Sequence, residues 1–170
     1  MNELDAVRLA KDDFFARDPH SPLTVDQKAR FAGLEYFTEN ADLRLEVVAR
    51  ALPNGGPLQM QTSTGGVQMY SRVGTFDFRV EGRQARLTIF EGPNGLFLPF
   101  VDALAGEQTY PAGRYLDPEP LPGGRHLVDF NLAYNPYCAY NSDWSCPLTP
   151  LENRINVPIR AGEKIFRDLH

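Results

Sequence analysis

The sequence predicts a mainly β protein: an antiparallel β-barrel or sandwich with one or two N-terminal helices and a long proline-rich C-terminal wrap. Three observations carry this expectation. Apolar and polar residues alternate with a period of two in several segments between residues 43 and 131. No helical pattern separates those segments, which argues for antiparallel pairing rather than strand–helix–strand units. The helical periodicity that exists lies before them. A chain of 170 residues fits a single domain. Residues 1–32 form its helical segment, 43–131 its sheet, and 132–170 a motif loop and C-terminal segment.

Residues 3–17 read as a helix because Leu4, Val7, Phe14 and Phe15 fall near one face while Asp5, Arg8, Asp12 and Asp13 cover the rest. Pro19 ends it, since proline disfavours helical geometry in the residue before it. A short second helix starts at Thr24, with Asp26 and Gln27 in its first turn. The period then changes. Leu43, Leu45, Val47 and Ala49 alternate with Arg44, Glu46, Val48 and Arg50. Strands over 58–64 and 67–73 flank Gly65 and Gly66, which suit the positive φ of a tight turn. Phe76, Phe78 and Val80 alternate with Asp77, Arg79 and Glu81, and "EGRQ" leads on to "ARLTIF", a hairpin over 75–90. Further short strands are expected at 96–101, 107–110 and 126–131. Beyond residue 111 prolines accumulate; "LDPEPLPGGRH" reads as a surface loop and "CPLTPLENR" as a rigid connection.

Composition narrows the function classes. A chain with 42% hydrophobic and 23% charged residues has the make-up of a globular domain. A net charge of −5 without basic clusters excludes generic nucleic-acid binding, which needs cations to neutralise phosphates. The acidic, amphipathic start lacks the features of a signal peptide, and no apolar run reaches the ~18 residues that cross a bilayer. The expectation is a cytoplasmic protein with reduced thiols and no membrane partner.

The segment "AYNPYCAYNSDWSCP" (133–147) gathers both cysteines, the single tryptophan, three tyrosines and two asparagines. Cys138 and Cys146 with His126 fall short of the four ligands zinc usually takes, and His20 and His170 complete the histidines. No metal or cofactor is assigned. A disulfide and two packed, reduced thiols both remain open. Motifs for zincins, zinc deaminases and phosphate loops are missing.

Two arrangements carry chemistry. In the first, Arg114, Tyr115, Asp129, Asn131, Tyr134, Tyr137 and Glu152 line a pocket for a small polar or anionic ligand, with arginine gripping an anion and rings, Trp144 included, as walls. In the second, a hydrolase-like enzyme uses Asp129 or Glu152 as base, with Cys138 nearby. A third reading needs no ligand: the same polar residues clamp loop backbone in a hydrogen-bond network, in a structural or interaction protein. Within "HLVDFNLAY", Asp129 and Asn131 share a strand face opposite Val128 and Phe130, a face that is either water or a lined cavity. Oligomeric state stays open.

The segments "KDDFFARDPHSPL" (11–23), "FAGLEYF" (31–37), "TSTGG" (62–66), "LFLPFVDALAGEQTYPAGRYLD" (96–117) and "DFNLAYNPYCAYNSDWSCPLTPLENRINVPIRAGEK" (129–164) resemble the bacterial and archaeal DUF1684 proteins, in the same order over nearly the whole chain. The resemblance implies a family of unknown function and therefore no reaction. It marks Arg114, Tyr115, Asp129, Asn131, Tyr134, Asn135, Pro136, Cys138, Tyr140, Cys146, Glu152 and Asn153 as motif positions. Leu104 and Ala105 stand where relatives usually carry hydroxyl residues, and Thr149 stands in place of a proline.

Overall fold

Asn2 and Asp5 cap each other's backbone and start α1, Glu3–Arg17, with acidic residues in its first turn and Arg17 in its last. The computed structural model describes residues 1–53 and 55–168, so His170 lies outside them. Of the expected apolar face only Phe15 is fully buried, edge-on to Tyr140 at 5.0 Å; Val7 remains 49% exposed. The physical reason is that α1 covers a cavity rather than the main core. A second capping box, Thr24 with Gln27, opens α2, Val25–Arg30.

Among the described residues eight strands follow: β1 Arg44–Val48, β2 Pro57–Gln61, β3 Val67–Val80, β4 Arg83–Gly92, β5 Gly95–Phe100, β6 Arg114–Leu116, β7 Glu119–Leu121 and β8 Arg125–Asp129. They form two antiparallel sheets, β2-β3-β4-β5-β6 and β1-β8-β7. The strands do not close into a barrel, because each sheet keeps its two edges.

The β3–β4 hairpin pairs Phe76 with Leu87, Phe78 with Ala85 and Val80 with Arg83. Its turn places Glu81 and Gly82 at φ 51° and 78°. Two successive positive φ values match the twist of the flanking strands. The two strands expected over 67–73 and 75–80 are one strand, bulged between Arg72 and Gly74. A side chain on Gly74 would meet the Arg50 carbonyl at 2.6 Å, and Arg50 and Thr75 exchange backbone hydrogen bonds there. That bridge ties the chain leaving β1 to the larger sheet.

Three other expectations are corrected. Residues 107–110 are not a strand: Ala105 and Thr109 form an isolated bridge, and the Thr109 hydroxyl is spent on Asp102. The proline-rich loop contains β7, which pairs with β8 across Gly123 and Gly124, both at positive φ. The strand expected to 131 stops at Asp129, and Phe130–Leu132 is a 3-10 turn, so Asp129 and Asn131 do not share a strand face.

The core lies where the sheets meet. Phe76, Phe78 and Val80 of β3, Leu87 and Ile89 of β4, Leu98 and Phe100 of β5, and Val128 of β8 are buried together. Phe130 stacks on Phe78 at 5.5 Å and meets Phe100 edge-on at 5.2 Å. Each such ring contributes on the order of 1.5–3 kcal/mol by leaving water. Residues 133–168 form no regular strand but run beside β5 and β6, bridging Val101 to Arg154 and Tyr115 to Tyr134.

Candidate functional site

Residues 133–147 are placed by backbone pairing at both ends and by buried polar groups at Asn135 and Tyr140. Tyr115 and Tyr134 exchange backbone hydrogen bonds at 2.8 and 3.0 Å. The Tyr115 hydroxyl donates to the Pro147 carbonyl, closing the loop over β6. Glu163, 2% exposed, accepts the Asn135 N–H at 3.0 Å and the Tyr140 hydroxyl at 2.9 Å, and forms an ion pair with Lys11 of α1. A buried carboxylate needs such partners to remain charged.

The predicted site residues separate into three groups. Tyr115, Tyr134 and Tyr137 line a cavity of about 370 Å3 under the loop, with Tyr70, Phe97, Trp144 and Asp117. Asp129 and Asn131, again with Tyr134, line a second cavity of about 270 Å3 beneath α1. Arg114 and Glu152 line neither.

Arg114, 1% exposed, donates to the carbonyls of Ile159, Ala161 and Glu163 and lies 3.6 Å from Asp102. Desolvation lowers its pKa to about 10, against the pull of Asp102 and Glu163, so it stays charged at neutral pH. Both terminal nitrogens of its fork are engaged within the protein, while Nε is buried without a hydrogen-bond partner. Glu152 is gripped by Arg72 at 2.8 Å and by the Thr88 hydroxyl at 2.8 Å. Burial raises its pKa, but these donors outweigh burial and hold it below the ordinary value.

In the cavity beneath α1 Asp129 and Asn131 are paired within the protein, whereas the Arg8 Nε is buried without a hydrogen-bond partner. Asp129 accepts the Asn131 N–H at 3.0 Å and its side-chain amide at 2.9 Å, with Arg44 3.8 Å away. Asn131 also pairs both backbone groups of Asn40. The Arg8 guanidinium lies 4.5 Å over the Tyr36 ring.

The cavity under the loop differs. Phe97 meets Tyr115 edge-on at 4.7 Å, Tyr115 meets Tyr134 at 5.9 Å, and Tyr137 meets Trp144 at 5.1 Å. Asp117 is the one lining residue with a formal charge at neutral pH. It accepts the Tyr134 hydroxyl at 3.0 Å. The surrounding protein raises its pKa, opposed by Tyr134 and Lys11, although the carboxylate still reaches solvent.

Asp117 and the walls Tyr70 and Phe97 were not singled out from sequence. Asp117 carried a usable signal: it stands two residues after Tyr115 and so shares its face of an extended chain. Arg114, by the same alternation, points the other way. The catalytic candidates do not converge, since Asp129 holds Arg44 and Asn131, Glu152 holds Arg72 and Thr88, and Cys138 lies beside Cys146 and Tyr110. Both cysteines are free. Among the described residues no group of three or more His, Cys, Asp or Glu side chains could hold a metal. No helix among them is long and apolar enough to cross a membrane.

No curated protein matches the chain. The fold is similar to the solution NMR structure of an uncharacterized protein of Haloarcula marismortui, at 35% identity and a TM-score of 0.70, over 95% of this chain and 92% of that one. The model of DUF1684, described as a protein of unknown function, matches residues 29–164, and the chain therefore belongs to that family.

Proposed function

We propose that the protein binds a small polar organic molecule, cationic or neutral, in the aromatic-lined cavity under residues 133–147. One observation carries this reading: rings from β3, β5, β6 and the loop line a space of about 370 Å3 in which, among the described residues, Asp117 supplies the only formal charge. Aromatic faces are electron-rich and attract cations, by about 0.5–2 kcal/mol for each contact. A carboxylate adds to that attraction. An anion would meet no compensating charge, because Arg114 is spent on three carbonyls. The volume falls within the usual range of ligand sites, about 300–1,000 Å3.

Trp144, the single tryptophan, lines the cavity and reports on it. A panel of quaternary ammonium ions, primary amines, polyols and carboxylates is titrated against its emission and against thermal unfolding. Cations or polyols should shift both signals and carboxylates neither. Asp117→Asn should weaken any cation about tenfold and leave polyols unchanged. Carboxylates binding best, or a panel without any effect, would overturn the reading.

The other half of the motif supports a clamp: Asn131, Asn135, Asn153 and Arg114 all hold backbone groups. We read the molecule as one domain, two sheets in an open sandwich with residues 132–168 wrapped across its end, supported by the Phe78–Phe130 stack and the Tyr115–Tyr134 bridge. A cytoplasmic setting agrees with the free thiols.

A further inference from the structure

Two thiols eight positions apart in sequence are neighbours in space. The backbone N–H of Cys138 donates to the Cys146 sulfur at 3.3 Å, which holds that sulfur at the Cys138 backbone. The chain between them turns back through the 3-10 turn Tyr137–Ala139 and the Trp144-to-Asn141 backbone hydrogen bond. Cys146 is fixed from behind: its N–H donates to the Ser63 hydroxyl at 3.0 Å, and its carbonyl accepts the Ser63 N–H at 2.9 Å. The Tyr110 hydroxyl lies 3.8 Å from the Cys138 sulfur. Burial separates the two roles. Cys146 is buried and lines the aromatic cavity, whereas Cys138 is only partly buried and reaches solvent.

We propose that Cys138 and Cys146 form a hydroperoxide-reactive pair, in which Cys138 is oxidised first and Cys146 resolves it to a disulfide. The Cys138 thiolate attacks one oxygen of the hydroperoxide; the O–O bond breaks, and the departing oxygen takes a proton from solvent as water or an alcohol. Sulfur has then lost two electrons, as sulfenic acid, and the hydroperoxide has gained them. The Cys146 thiol attacks the Cys138 sulfur, the S–S bond forms, the S–O bond breaks, and hydroxide leaves as water with the Cys146 proton. An external dithiol returns the pair to its reduced form. Reactive cysteines are those with thiolate character, access, and a second thiol within reach. The S–H of Cys146 leads the groups that lower the Cys138 pKa to about 6; burial opposes it and Tyr110 adds to it. The same partnership pushes Cys146 up. The pair stands apart from the carboxylate-and-ring reading of the cavity, and either can hold without the other.

The test is intact-mass spectrometry of the full reduced chain with one equivalent of hydrogen peroxide, followed by alkylation and peptide mapping. The expected result is loss of two hydrogen masses, a link between the 138 and 146 peptides, loss of both alkylatable thiols, and full recovery with a dithiol. Cys146→Ser should instead gain one oxygen mass, at Cys138, trapped by a 1,3-diketone. Cys138→Ser should not change mass. Two thiols that stay alkylatable, oxidation to sulfinic acid without a link, or links only between chains would each overturn the proposal. The wild-type measurement decides it even if a variant fails to fold.

Discussion

The side-chain amide of Asn153 pairs with both backbone groups of Thr88 as a neighbouring strand would. Its oxygen accepts the Thr88 N–H at 2.8 Å, and its nitrogen donates to the Thr88 carbonyl at 2.9 Å and to the Pro99 carbonyl at 2.8 Å. Strands β4 and β5 pair over Phe90–Gly92 and Gly95–Phe97. Two residues further on, where that register would set Thr88 opposite Pro99, Asn153 stands between them. Asn153→Ala leaves these groups unpaired in a fully buried place. At about 1–3 kcal/mol for a stranded buried group, the expected loss is about 3 kcal/mol or more in urea unfolding. Asn153→Asp, which keeps an acceptor but no donor, should cost at least as much.

Arg114→Ala should cost about 3–5 kcal/mol, the range for removing one partner of a buried ion pair. It strands the carbonyls of Ile159, Ala161 and Glu163 and leaves Asp102 to Thr109 and the Ile159 N–H. Limited proteolysis should then cut within 157–164 first. Ligand affinity per folded molecule should not change, since Arg114 does not line the aromatic cavity.

Lys11→Met should destabilise more than Glu163→Gln. The first leaves a carboxylate 2% exposed without its cation, a loss of about 3 kcal/mol. The second keeps an acceptor for the Asn135 N–H and the Tyr140 hydroxyl. A double-mutant cycle by urea unfolding measures the coupling. Hydrogen exchange should show α1 losing protection before the β3–β4 hairpin does.

Glu152→Gln should cost about 0.5–1 kcal/mol near neutral pH, because the Arg72 pair is part-exposed and screened. The pH dependence has a definite sign. The folded pKa is lowered, so this contribution is present above the ordinary glutamate pKa of 4.5 and is lost as pH falls through the folded value. Unfolding midpoints of wild type and variant should converge on acidification.

Local chemistry made much of this fold legible. The helix start at Thr24 and the alternation of Phe76, Phe78 and Val80 need only nearby residues, and each stands where the pattern put it. Strand β7 was hidden because Pro118, Pro120 and Pro122 lack donors and read as loop; β7 tolerates Pro120 as an edge strand. The β1–β8 pairing joins Arg44 to Asp129, a separation over which no local period extends. Tyr115, Tyr134 and Tyr137 were visible as ring walls from their types. Arg114 and Glu152 were misplaced because residue type shows a charge but not its partner, and theirs lie far along the chain.

The clamp at Asn153 and Arg114 also sets when the fold can be completed. A chain made from residue 1 onwards releases β3, β4, β5 and β6 from the ribosome before Asn153, Ile159 and Glu163 exist. Until then the gap between Thr88 and Pro99 is open, and the Arg114 guanidinium lacks the carbonyls that satisfy it. A nascent chain halted before residue 153 presents an unsealed sheet with apolar faces, the surface that chaperones retain. Translation speed through the last strands and the segment after them therefore governs how long that surface is displayed.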